Sequence, residues 1–172
     1  MALEVSQSIQ QTTYDQYHKL IKEQAENKPE LAKIILEILE NSSLNTFSEF
    51  LHMKEIDEVK YKILCLNFKW QGKSFQMKAG EFEKYYNTMN LFAFGTYRQF
   101  LENKDKIIAL SPVMDKKLKH LTILTLATQK KTLPYDDLMV ELDLKNVRHL
   151  EDLIIEAIYA GKHQELSSKL FH

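Results

Sequence analysis

Apolar residues recur at helical spacing along most of this chain. After Pro29, residues Leu31, Ile34, Ile35, Ile38 and Leu39 fall on one stripe, with Glu30, Lys33, Glu37 and Glu40 on the other side. Spacings of three and four residues place side chains on one face of a helix, so this stretch predicts an amphipathic helix beginning at the proline. A looser helix is expected before it, from Tyr14 to Ala25, and Phe47, Phe50, Leu51 and Ile56 mark a short third one after the polar break Asn41-Ser42-Ser43. Between Tyr61 and Lys78 the period changes: ILCLNFKW and SFQM alternate around Gln71-Gly72-Lys73, the pattern of a β-hairpin. Helical spacing returns at Phe82, Tyr85, Met89 and Phe92 and continues through Phe100 and Leu101 to near Asn103. Gly95 interrupts it, which marks a kink or a close backbone approach.

The last third is the most fully specified. Ser111 can cap a helix with Pro112 at its first position, and Leu118, Leu121, Leu124 and the run through Ala127 carry it to near Lys131. Pro134 can open a short helix whose first turn holds Asp136 and Asp137, where the positive end of the helix dipole favours acids. Leu138, Met139 and Leu142 then face inward. Asn146 can cap a final helix in which Leu150, Leu153, Ile154, Ala157 and Ile158 form one stripe and Glu151, Asp152 and Glu156 lie away from it. Three helices in this order resemble a winged helix.

Composition narrows the function classes. With 172 residues, 44% hydrophobic and 27% charged, the chain can bury one sizeable core. Four glycines and three prolines leave few tight turns, which favours a mostly helical chain and weighs against enzymes built on glycine-rich loops. The 23 basic and 24 acidic residues nearly cancel, so no net field draws the chain to nucleic acid or an anionic membrane. Cys65 is the sole cysteine, which rules out an internal disulfide and fits a small buried hydrophobe in a reducing compartment. The first thirty residues are polar, and no later run approaches the ~20 apolar residues that span a bilayer. Cytoplasm, nucleus or both is the expected location.

Four phrases carry a family resemblance. NLFAFGTY, KLKHLTILTLA, the Leu133-Pro134-Tyr135 start and NVRHLEDLIIEAIY resemble, in order and spacing, the PCI domain family, and within it the subunit 7 group of the COP9 signalosome. The likeness runs from Phe82 to Tyr159, and EFLHMKEIDEV continues it weakly upstream. It implies a mainly α fold: N-terminal helical repeats over residues 1–110, a winged-helix-like lobe over 111–160 and a divergent tail over 161–172. It also implies a non-catalytic scaffold subunit of a cullin deneddylase complex that regulates cullin-RING ubiquitin ligases. Its partners would be other signalosome subunits, with no cofactor, no small-molecule substrate and no membrane. The isopeptidase chemistry of that complex belongs to a zinc-bearing partner whose motif has two histidines separated by one residue, a pair absent from this sequence.

Two departures accompany the resemblance. After Tyr159 the family continues into two wing strands and a helical tail, whereas this sequence has AGKHQELSSKLFH. A short or missing wing, from a splice form or truncation, is therefore expected. The resemblance places no counterpart for the segment KILCLNFKWQGKSFQMKAG, whose structure and role it leaves open. Alternatives are a PCI subunit of the proteasome lid or of a translation initiation factor, and a winged-helix nucleic-acid-binding protein using Lys145, Arg148 and Lys162. Glu151, Asp152 and Glu156 on the same helix would repel phosphates, and LEDLIIEAIY favours the signalosome.

Candidate chemistry is sparse. NFKWQGKS ends like a phosphate-binding loop, but that loop needs glycine where Asn67 stands, so Lys73 reads more simply as a turn residue. His18, His52, His120, His149, His163 and His172 form no pair at three- or four-residue spacing, and no metal site is expected. His149 and Glu151 superficially match zinc deaminases, yet the Pro-Cys-x-x-Cys partner is absent. No serine sits in a Gly-x-Ser-x-Gly elbow, and Cys65 has no neighbouring histidine. Adjacent carboxylates such as Asp136 and Asp137, or Glu151 and Asp152, point in different directions on a helix, which suits solvent or caps better than a catalytic pair. The sites singled out are therefore a partner surface, comprising Lys145, Arg148, Glu151, Glu156 and Tyr159. Leu150, Leu153, Ile154 and Ile158 are expected beneath it as core.

Overall fold

The structure, a computed structural model, describes residues 2–24, 27–42, 44, 46–56, 79–130 and 132–159. By internal contacts the chain divides into two compact units: Met1–Phe94 with Lys104–Ala109, and Gly95–Asn103 with Leu110–His172. Among the described residues the regular structure is helical, in keeping with a mainly α fold. The hairpin expected over 61–78 and the tail expected over 161–172, including any wing, lie outside the described residues.

In the first unit, helix α1 covers Ala2–Glu23. It starts well before Tyr14 because ALEVSQSIQQTT contains neither glycine nor proline and includes the strong helix formers Ala, Leu, Glu and Gln. Helix α2 covers Lys28–Glu40, with Pro29 in its first turn, where a missing N–H costs nothing. The stripe expected on α2 is the buried one: Leu31, Ile34, Ile35, Ile38 and Leu39 are all in the core. Each such side chain contributes roughly 1.5–3 kcal/mol on leaving water. Helix α2 packs against α1 and against α4, which covers Ala79–Phe94.

Short helix α3, Ser48–Leu51, also rests on α4. Phe47, just before it, meets Phe92 edge-to-face at 5.8 Å, and Phe50 lies 4.7 Å from the Tyr14 ring. Burial pushes the Tyr14 hydroxyl up to about 12, helped by a hydrogen bond to Glu49. Thr88 is a polar residue in this core, and its partners explain it. Its Oγ1 donates to the Lys84 carbonyl at 2.6 Å and accepts the Ile108 N–H at 3.2 Å, while Asn87 Nδ2 donates to the Lys106 carbonyl at 3.2 Å. Together they hold the 3₁₀ turn Lys104–Lys106 and the buried Ile107 on α4.

The second unit contains α5 (Tyr97–Glu102), α6 (Pro112–Gln129), α7 (Tyr135–Glu141) and α8 (Val147–Tyr159). The single helix expected from Phe82 to near Asn103 is thus two, because Thr96 is extended and opens a new helix. Its N–H is accepted by Gln99 Oε1 at 3.1 Å, half of a capping box. At α6, Ser111 Oγ accepts the Met114 N–H at 3.4 Å, with Pro112 following, as the sequence predicts. Met114, Leu118, Ile123, Leu138, Leu142 and Leu150 are among the most deeply buried residues, and α8 packs on both α6 and α7.

Helix α7 ends in an unusual way for its residue type. Asp143 has φ 50, a left-handed conformation that glycine usually supplies. The Leu144 N–H reaches the Met139 carbonyl at 2.9 Å and the Asp143 N–H reaches the Val140 carbonyl at 3.4 Å, the two bonds of a Schellman ending. This turn reverses the chain into α8.

Candidate protein-interaction surface

Helix α8 begins at Asn146, whose side-chain oxygen accepts the Arg148 N–H at 2.9 Å and whose carbonyl accepts from Leu150 at 3.3 Å. That cap fixes where the helix starts and therefore which residues face out. Leu150, Leu153, Ile154 and Ala157 are buried against α6 and α7, and Ile158 is half-buried. At 100° per residue, the opposite face carries Arg148, Glu151, Asp152 and Ile155. All four are exposed, as are Lys145 and Val147 at the approach.

The residues expected to form the surface fare differently. Lys145, Arg148 and Glu151 are exposed and form no ion pair among the described residues. Glu156 is exposed but engaged: Lys116 Nζ of α6 lies 2.7 Å from its Oε2, and His120 Nε2 lies 3.4 Å from the same oxygen. Its carboxylate clasps α8 to α6. Tyr159 closes the helix, and its side chain is outside the described residues. The residue that sequence reasoning passed over is Ile155, 49% exposed at the middle of the outward face. The signal was available, since Ile155 is seven residues from Arg148 and four from Glu151, off the buried stripe.

A polar bracket holds α6, the helix on which α8 rests. The Tyr97 N–H donates to Thr122 Oγ1 at 2.8 Å, and the Thr122 hydroxyl in turn donates to the Leu118 carbonyl at 2.8 Å. The Tyr97 hydroxyl donates to Asp115 Oδ1 at 2.9 Å, and Lys119 Nζ sits 2.8 Å from Asp115 and 4.7 Å from the centre of the Tyr97 ring. Burial, then the bond to Asp115, raises the Tyr97 hydroxyl well above its ordinary value. Helix α5 is thereby fixed to α6 by hydrogen bonds and by its buried ring.

Among the described residues no three His, Cys, Asp or Glu side chains come together as a metal site requires. His149 is exposed on α8, while His120 is turned toward Glu156. What the unit presents is a short, well-braced helix with a mixed-charge outer face. The PCI domain family model matches residues 93–162, the stretch that contains α5 to α8.

The chain carries a PCI domain.

Curated relatives extend the likeness beyond that stretch. The chain is 37% identical to COP9 signalosome complex subunit 7 of Arabidopsis thaliana over 155 residues, 89% of this chain and 53% of the relative. It is 54% identical to subunit 7 of Drosophila melanogaster over 85 residues, 49% of this chain and 31% of the relative. Against COP9 signalosome complex subunit 7a of Mus musculus it is 30% identical over 156 residues, 91% of this chain and 50% of the relative. The chain therefore spans about half the length, or less, of these relatives. It is similar to signalosome subunit 7 along most of its length, and its residues 93–162 match the PCI domain family. No helix of the described residues is long and apolar enough to cross a membrane.

Proposed function

We propose that this chain acts as a non-catalytic assembly subunit of the COP9 signalosome, docking other subunits of that complex rather than transforming a substrate. The observation that carries this reading is the match over 155 residues to Arabidopsis subunit 7, together with the PCI domain at residues 93–162. The geometry agrees: the second unit invests its buried polar groups in bracing α5 and α6, and the outward face of α8 carries charges that form no ion pair among the described residues. The carboxylates Glu151 and Asp152 on that face favour a protein partner over a phosphate backbone. The reading places the chain in the cytoplasm and nucleus, with other signalosome subunits as partners and no cofactor.

The test is affinity purification of the tagged chain from cell extract, with the co-purifying proteins identified and cullin deneddylation assayed in the eluate. Signalosome subunits recovered with that activity support the proposal. Folded protein that recovers none of them overturns it for this chain.

A further inference from the structure

We infer that Thr88 and Thr122 are a pair of clips that lock the two units into one cooperative whole, each holding a segment of its own unit that lies, along the chain, between two stretches of the other.

The chain passes between the units after Phe94, after Asn103 and after Ala109. Gly95–Asn103 belongs to the second unit but is joined at both ends to the first, and Lys104–Ala109 belongs to the first but is joined at both ends to the second. The same device holds both segments. Thr88 and Thr122 are fully buried. Each hydroxyl donates to the carbonyl four residues back in its own helix, Lys84 at 2.6 Å and Leu118 at 2.8 Å. Each also accepts a backbone N–H from the interleaved segment, Ile108 at 3.2 Å and Tyr97 at 2.8 Å. A buried side chain seats each segment, Ile107 in one and the Tyr97 ring in the other.

Coupling follows from the way the chain is connected. In the second unit, Asn103 closes α5 by donating its N–H to the Gln99 and Phe100 carbonyls at 3.1 and 3.2 Å, and Ser111 caps α6. With that unit folded, both ends of Lys104–Ala109 are confined, so seating the segment under Thr88 orders little free chain. With it unfolded, the same segment is a loose connection whose closure costs entropy. The converse holds for Gly95–Asn103, whose two ends are set by the first unit. Folding of either unit thus lowers the cost of ordering the other, and a coupling of this kind acts equally in both directions.

The test is native-state hydrogen exchange on the full chain, read at the buried residues Ile35 and Ile38 of α2, Leu124 of α6 and Leu153 of α8. Thr88→Val keeps the shape of the side chain and leaves the Ile108 N–H without its acceptor. Protection at Ile35 and Ile38 should fall by about fivefold to a hundredfold, the range for a buried donor that loses its partner, and by the same factor at Leu124 and Leu153. Thr88→Ser, which keeps the hydroxyl, should restore most of it in both places. Thr122→Val should give the mirror result, with the loss in α6 and α8 matched in α2. If Thr88→Val does not fold, Asn87→Ala is the milder release, since it removes only the bond to the Lys106 carbonyl at 3.2 Å, and it is read in the same way. A loss of protection confined to the unit that carries the substitution means that the two units open independently, and the inference falls.

Discussion

Leu150 and Ile155 lie five residues apart on α8, and trimming each to alanine should give opposite results. Leu150 is fully buried between α8 and the helices it packs on, so Leu150→Ala removes three carbons from the core. At roughly 0.8 kcal/mol per buried methylene the transfer loss is about 2.4 kcal/mol, and an unfilled cavity adds to it. A destabilisation of about 3 kcal/mol is expected, or a fall of roughly 6–12 °C in melting temperature for a chain of this length. Ile155 is 49% exposed, and alanine is the better helix former, so Ile155→Ala should be neutral or stabilising by a few tenths of a kcal/mol, about the propensity difference. Urea titration followed by circular dichroism measures both. Equal costs for the two substitutions, or a Leu150→Ala cost below about 1 kcal/mol, would show that α8 is turned differently and would remove the basis for treating Ile155 as a surface residue.

Three further outcomes follow from particular bonds. Thr122→Val removes the acceptor of the buried Tyr97 N–H at 2.8 Å and should cost about 1–3 kcal/mol in a urea melt, whereas Thr125→Val, at a half-buried position whose hydroxyl donates to the Leu121 carbonyl of its own helix, should cost far less. Asp143→Gly relieves a left-handed residue at the Schellman ending of α7 and should stabilise by about 0.5–1 kcal/mol, while Asp143→Val should destabilise. Both Tyr14 and Tyr97 hold their protons more tightly folded than unfolded, so their contribution is complete below pH 10 and is lost as the pH rises toward their folded values. In an alkaline absorbance titration Tyr14 should ionise near 12, and Tyr97→Phe should remove one late-titrating group; ionisation of both at pH 10 in folded protein would contradict the burial described.

Much of the helical order was legible because local signals agreed with one another. Pro29, Ser111-Pro112 and Asn146 each mark a helix start by removing or satisfying end N–H groups, and the structure begins helices at all three. The stripes on α2 and α8 were readable because a helix buried on one side needs apolar residues every three or four positions. Where signals were weak, the reading was incomplete. The helix expected from Tyr14 begins at Ala2, in a stretch whose residues have good intrinsic propensity. The Gly95 break reads as a kink or a close backbone approach, because nothing local says that Thr96 will start a new helix whose tyrosine is buried against α6.

The candidate surface divides in the same way. That Arg148 and Glu151 point outward followed from periodicity alone, since side-chain direction on a helix depends only on residue number once the buried stripe is known. That Glu156 is spent on Lys116 and His120 did not, because those partners lie forty and thirty-six positions earlier in the sequence and meet it only when α6 and α8 pack. The same holds for Tyr97, Asp115 and Thr122, whose bracket exists only in the folded unit. By itself the sequence determined most of the helices, the starts of α2, α6 and α8, and the apolar faces of α2 and α8, all of which are properties of neighbours along the chain. The tertiary structure decided which exposed charges are already satisfied, because an ion pair depends on distances of a few ångströms across elements that the sequence pattern does not encode.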